Sequence, residues 1–173
     1  SYDAAYAYEL AVIVQDGIRR MYEDREDVFY YLTVENETYR MPPMPQGPDV
    51  AAGILKGMYR FRASPLSGKD KDTPFVHLFG SGAILNHAVE AQRLLAEKFG
   101  VSSEVWSVTS YTQLRREAMA CDRENRLHPT AAPRRPYIAE QLAARPAPVV
   151  AATDYVRLLA DGVAPWTPKG LVA

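Results

Sequence analysis

From residue 75 onward, short β-branched runs alternate with helical stripes, and this alternation narrows the possible fold further than any other feature. Phe75-Val-His-Leu-Phe79 reads as a strand, Gly80-Ser81-Gly82 as a turn, and Ala83 to Phe99 as a helix with Ile84, Ala88, Ala91 and Leu95 on one stripe. Glu104 to Val108 is a second strand, and Ser110 caps a helix reaching about Asn125. After a loop over 126–136 come a short helix from Tyr137 to Ala144 and a third core strand from Pro148 to Ala152. A helix capped by Thr153 or Asp154 then runs to about Gly162, and Leu171–Ala173 opens one more strand. Strand, crossover helix and strand in succession require a parallel pair with a right-handed connection. The pattern predicts an α/β fold, a mainly parallel mixed sheet with helices on both faces.

Upstream, residues 3–22 read as a helix that Asp3 can cap, with Leu10, Val14, Ile18 and Met21 at helical spacing. Val28 to Val34 is β-branched and aromatic throughout and reads as a strand buried on both faces. Four prolines between Met41 and Pro48 then remove amide donors and fix φ, which places a domain boundary there. Ile54 to Arg62 alternates, with Leu55, Gly57, Tyr59 and Phe61 on one side and Lys56, Met58, Arg60 and Arg62 on the other. It reads as a half-buried edge strand whose charged face favours antiparallel pairing. Ser64 to Thr73, with Gly68, reads as a polar turn.

With 173 residues, 47% of them hydrophobic, the chain can bury one ordinary core and little more. Twenty basic and 21 acidic residues leave a net charge of −1, so no basic excess argues for nucleic acid. No apolar run approaches the roughly 18 residues of a membrane helix. Cys121 is the single cysteine; it excludes an intrachain disulfide and fits a reducing, cytoplasmic setting. Its neighbours read as a packed thiol on a helix. The chain starts without Met in a helix pattern and stops in the apolar Gly170–Ala173, as a piece of a longer chain would.

Several residue groups invite a functional reading. Gly80, Ser81 and Gly82 lie between a strand end and a helix start, where backbone amides can meet a phosphate or carboxylate. They form neither a dinucleotide fingerprint nor a Walker loop, and a tight turn accounts for them as well. Glu37 and Arg40 follow the 28–34 strand, on the side of a sheet where ligands bind in α/β proteins. A carboxylate and a guanidinium three residues apart could grip a polar substrate, or make a solvated turn. His128 lies in a proline-bounded loop, where chemistry is more common than in cores, although a hydrogen-bonded structural His explains it too. His77 and His87 share no metal-ligand spacing with it, so no metal site is expected.

In order and spacing, many short motifs resemble one family. They are Ala5-Tyr-Ala-Tyr-Glu-Leu-Ala-Val-Ile13 with Asp16-Gly17, Asn36-Glu37 with Tyr39-Arg40-Met-Pro-Pro-Met-Pro45, and Leu78-Phe-Gly-Ser-Gly82 with Ile84, Leu85 and His87. Val105-Trp-Ser-Val-Thr-Ser110, Asn125-Arg-Leu-His-Pro129, Pro136-Tyr-Ile138 and Ala152-Thr-Asp-Tyr155 continue it. Together they are similar to the homodimeric-type decarboxylase subunit of pyruvate dehydrogenase complexes, a transketolase-like enzyme. The resemblance covers essentially the whole chain. It implies that residues 1–40 end a pyrimidine-binding middle domain, 41–49 connect, and 50–173 form a carboxyl-terminal domain short of its end.

The resemblance further implies a thiamine diphosphate and Mg²⁺ enzyme, a homodimer of three-domain chains. Its cofactor attacks the keto carbon of pyruvate, CO₂ leaves, and the acetyl unit passes to a lipoyl group on an acyltransferase partner. This links glycolysis to acetyl-CoA. The Gly-Asp-Gly…Asn metal–diphosphate motif is absent here, so this piece alone is expected to be inactive and to bind no cofactor. Glu37 keeps its match to the family's active-site loop. Where many members carry His before Met-Pro, this chain has Arg40, which cannot shuttle protons near neutral pH but can bind a carboxylate. Two other readings are a free-standing anion- or nucleotide-binding α/β domain and a structural dimerisation domain.

Overall fold

The structure is a computed structural model that describes residues 1–66 and 73–173. The part of the predicted Ser64–Thr73 turn around Gly68 lies outside the described residues. The main sheet consists of β3 (Tyr59–Arg62), β4 (Phe75–Gly80), β5 (Ser102–Ser107), β6 (Val149–Ala152) and β7 (Leu171–Val172). Its strand order is β3-β5-β4-β6-β7, and every pairing is parallel except β3 with β5. The α/β expectation is therefore met, including the antiparallel strand at an edge.

Alternation along the central strands explains why both faces are covered. Leu78 and Val105 point to one side, where α3 (Leu85–Phe99) packs Leu85 and Ala88 beside Ala5 and Tyr6. Phe79 and Trp106 point to the other. There α4 (Tyr111–Leu127), α5 (Tyr137–Leu142) and α6 (Arg157–Asp161) supply Leu114, Ile138, Leu142 and Ala160. Two-faced burial needs apolar residues at every position, which is why β4 reads as a continuous apolar run.

The expected strand over 54–62 is only half a strand. Val50–Lys56 form helix α2, and the chain turns at Gly57, whose φ of 106° is left-handed. A Cβ at Gly57 would also stand 2.5 Å from the Ser110 carbonyl. Glycine is required here twice over, and it ends the helix before the strand begins. Met58, expected on the outer face, is fully buried.

The amino-terminal segment also departs from expectation. Asp3 belongs to β1 (Tyr2–Asp3), which pairs in parallel with β2 (Leu32–Thr33), rather than to a helix cap. Helix α1 spans Ala7–Ile18 and continues as a π-helical turn over Arg19–Glu23. The cap comes from Glu9, whose carboxylate accepts the amides of Ala5 at 2.6 Å and Tyr6 at 3.1 Å. The 28–34 run is not buried on both faces. Tyr30 and Leu32 pack with Ile13, but Phe29 is 87% and Tyr31 62% exposed. The Asp16-Gly17 pair has a physical role in holding this run. Asp16 accepts from the Tyr30 hydroxyl at 2.6 Å, and the Tyr30 ring would stand 3.3 Å from a Cβ at Gly17, a tight contact.

The proline run leads into α2 without helix or strand over 41–46. The segments before and after it share a core, since Ile13 packs with Ile54 and Tyr59. The last helix is shorter than expected. Thr153 Oγ1 accepts the Tyr155 amide in a local turn, and α6 begins only at Arg157, after Val156.

Candidate functional site

The connection from β4 through α3 enters β5 on one side of β4. The next crossover enters β6 on the other side. Opposed crossovers leave a crevice at the carboxyl ends of β4 and β6, the place where α/β sheets bind ligands. Gly80-Ser81-Gly82 leaves β4 at this point, and the Ser81 hydroxyl donates to Thr153 Oγ1, just after β6, at 2.9 Å. Gly80 has no room for a side chain, because a Cβ would stand 2.6 Å from Leu85 Cα. Gly82 has a φ of 50° and opens the short 3-10 turn that precedes α3.

The turn faces anions, and they are the protein's own. The Ala83 amide donates to the Glu35 carboxylate. A Cβ at Gly82 would meet Asp3 and Glu35 carboxylate oxygens at 3.0 Å. Asp3 is fixed by the Thr33 hydroxyl at 2.7 Å. Loss of hydration, then the charges of Asp3, Asp154 and Glu37, push the Glu35 carboxyl above the usual range, against the Ala83 amide. Asp3, expected as a helix cap, and Glu35 are the carboxylates whose place beside Gly82 the sequence does not reveal. The available signal was a carboxylate beside each of two paired strands, but pairing of β1 with β2 could not be read from periodicity.

Glu35 leads into the loop that carries Glu37 and Arg40. Both are exposed, and neither makes a side-chain hydrogen bond or ion pair with the described residues. Tyr39 between them is half-buried, and its hydroxyl donates to the Ala5 carbonyl. Glu37 and Arg40 thus lie on the loop that follows Glu35, the residue beside the Gly80–Gly82 turn.

His128 is not part of this cluster. It ends α4, which starts at Ser110 beside the carboxyl end of β5 and runs back for 17 residues, about 25 Å. Its loop is tied to α4 instead: Asn125 accepts the Arg134 amide and donates to the Arg134 carbonyl. Cys121 is buried, its thiol bonded to Glu117 at 2.9 Å, and burial pushes it up to about 11. It is a packing residue, without the thiolate a nucleophile needs. Among the described residues, no group of three or more His, Cys, Asp or Glu could hold a metal ion. No helix among the described residues is long and apolar enough to cross a membrane.

His77 is the one histidine set in a core. Its Nδ1 accepts from the Trp106 indole at 3.1 Å and its Nε2 lies 2.8 Å from the Arg145 carbonyl, so Nε2 carries the proton. Burial depresses its pKa, against the Arg145 carbonyl bond and the Glu104 carboxylate. A depressed histidine contributes stability that is present above its unfolded value, near 6.5, and lost as pH falls through the folded value. Thermal melts at pH 7 and pH 5 are expected to show a loss on acidification that His77→Gln reduces. An equal loss in both proteins would remove His77 as the cause.

Residues 1–42 match the model of the pyruvate dehydrogenase E1 component middle domain. Residues 57–171 match that of the transketolase-like TK C-terminal domain. The chain is 46% identical over 169 residues to a pyruvate dehydrogenase E1 component of Pseudomonas aeruginosa, covering 98% of this chain and 18% of that protein. The Escherichia coli K12 protein of the same name is 50% identical over 169 residues, 97% of this chain and 18% of its own length. The one from Mycolicibacterium smegmatis is 39% identical over 169 residues, again 97% and 18%. The chain therefore spans less than one fifth of the length of these relatives.

Proposed function

Since the chain belongs to the transketolase-like C-terminal domain family, joined to a pyruvate dehydrogenase E1 middle-domain segment, we propose that it is part of a pyruvate dehydrogenase first component. In this reading the whole protein decarboxylates pyruvate and transfers the acetyl unit to the lipoyl group of an acyltransferase partner. It does so in the cytoplasm as a pair of identical chains. The reading is carried by the match of both segments, in order, to proteins bearing that one name.

Thiamine diphosphate and Mg²⁺ supply the decarboxylation chemistry in such an enzyme. The residues of this chain do not fit that group. The Gly80–Gly82 turn at the end of β4 is faced by Glu35 and Asp3, whose charges repel a diphosphate, and the described residues make no metal-ligand cluster. In this reading the cofactor ligands come from outside residues 1–173. The same carboxylates disfavour a free-standing anion- or nucleotide-binding domain.

What these residues can do is bind and orient. A guanidinium matches a carboxylate in a two-pronged hydrogen-bonded pair, so Arg40 is the group for the pyruvate or product carboxylate. Glu37, three residues away, is a hydrogen-bond acceptor for a donor group brought into the site. The residues from 41 to 48, with their four prolines, limit how far the loop can move.

Two measurements test this. The purified full-length polypeptide, with thiamine diphosphate and Mg²⁺, is expected to release CO₂ from pyruvate; a protein inert toward pyruvate would sink the reading. Calorimetric titration of residues 1–173 with the cofactor and Mg²⁺ is expected to give no micromolar binding. Micromolar binding would show that the cofactor ligands lie inside this chain after all.

A further inference from the structure

Glu37 and Arg40 make no side-chain bonds with the described residues, yet Tyr39, which lies between them, is held on two sides. The Tyr39 hydroxyl donates to the Ala5 carbonyl, and its ring meets the Tyr6 ring edge-on, centroids 6.2 Å apart. The Ala5 carbonyl and the Tyr6 amide belong to one peptide unit, which is planar and stiff. That unit is gripped from its other side, because the Tyr6 amide donates to Glu9 Oε2 at 3.1 Å and the Ala5 amide donates to the same oxygen at 2.6 Å.

Glu9 is fully buried. Its second oxygen accepts from the Tyr59 hydroxyl on β3 and the Ser107 hydroxyl at the end of β5, both at 2.6 Å. A continuous set of hydrogen bonds therefore runs from the five-stranded sheet through Glu9 and one peptide plane to Tyr39. Bonds in series inside a low-dielectric interior strengthen one another and fix geometry. Glu9 and Tyr39 lie in the middle-domain match and Tyr59 and Ser107 in the C-terminal-domain match, so the set bridges the two.

We infer that Tyr39 is a positioning residue for Glu37 and Arg40, and that Glu9 anchors it to the carboxyl-terminal sheet. This rests on the reading of the 35–40 loop as part of the substrate site. In this arrangement the C-terminal domain, which carries neither charged residue, sets where both are presented. Tyr39 touches no substrate; it acts by holding its two neighbours in place.

The test is Tyr39→Phe in the full-length protein, which keeps the ring against Tyr6 and removes only the hydroxyl. A loop shifted by about an ångström loses rate without losing its fold, so kcat/KM for pyruvate is expected to fall about tenfold. The melting temperature is expected to move by only a few degrees. Combining Tyr39→Phe with both Glu37→Ala and Arg40→Ala separates positioning from a merely structural role. If Tyr39 acts through its two neighbours, this triple variant is no slower than the Glu37→Ala/Arg40→Ala double variant, within about twofold. Losses that multiply would overturn the inference. Unchanged kinetics in Tyr39→Phe, with Arg40→Ala impaired, would also overturn it and leave the site reading standing. Unchanged kinetics in both Arg40→Ala and Glu37→Ala would overturn the site reading and the inference with it.

Discussion

Arg40→Ala in the full-length enzyme is expected to lower kcat/KM for pyruvate by one to two orders of magnitude, roughly 1.4–2.8 kcal/mol of transition-state stabilisation. The size follows from the way the side chain is presented. Arg40 is exposed and forms no pair with the described residues, so its hydrogen-bonding capacity is kept for a ligand. Its backbone is restrained on one side by Tyr39 and on the other by Pro42 and Pro43. A preorganised guanidinium loses little freedom when it takes a carboxylate. Because Arg40 forms no hydrogen bond or ion pair with the described residues, its removal is expected to change stability by less than about 0.5 kcal/mol. Steady-state kinetics with melting curves alongside separate the possibilities. Unaltered kinetics would take Arg40 out of the site. A collapse of the melting temperature together with lost activity would mean that Arg40 holds the segment junction instead. Arg40→Lys keeps the charge but not the planar fork, so an intermediate loss is expected.

The sequence carries the sheet downstream of residue 75 plainly, because there local pattern and tertiary burial agree. Phe79 and Trp106 alternate with Leu78 and Val105 over two packed faces, and Ser110 caps α4 through the Gln113 amide as its position predicts. Where the reading failed, a long-range contact overrode local pattern. Leu55 to Phe61 alternates convincingly, but Gly57 must pass within reach of the Ser110 carbonyl, and that close approach splits the run into helix and strand. Phe29 and Tyr31 have the composition of a strand buried on both sides, while this chain supplies a covering layer only on the α1 side. Glu37, Arg40 and the Gly80–Gly82 turn stand out as candidates by type and spacing. Their relation does not. It depends on β1 pairing with β2 across about 30 intervening residues, which brings Asp3 and Glu35 to Gly82. Glu9 was hidden for a similar reason. On a helical wheel it looks like an ordinary polar position, and only Tyr59 and Ser107, some 50 and 98 residues away, reveal why it is buried.

Glu9→Ala is expected to destabilise the protein by about 3–5 kcal/mol, the range for removing one member of a buried, fully bonded ionic network. Four donors converge on this carboxylate: the Ala5 and Tyr6 amides and the Tyr59 and Ser107 hydroxyls. Burial pushes the Glu9 pKa up, and all four donors act against that shift. The truncation leaves these donors facing a cavity and also removes the cap of α1. The Tyr59 hydroxyl can turn to Tyr8, whose oxygen lies 2.5 Å away, which spares part of the loss. Glu9→Gln keeps the volume and one acceptor oxygen but sets an NH₂ against donors, so an intermediate cost of about 1–3 kcal/mol is expected. Urea denaturation reads both values from the midpoint, provided the slope is unchanged. A cost below about 1 kcal/mol in Glu9→Ala would mean that water takes over all four partners, and the join between helix α1 and the sheet would then need another explanation. If the cost is as large as expected, the Ala5–Tyr6 peptide also loses its hold on the sheet side. Surviving folded Glu9→Gln should then show the same direction of kinetic loss as Tyr39→Phe, since both release one peptide plane from opposite sides.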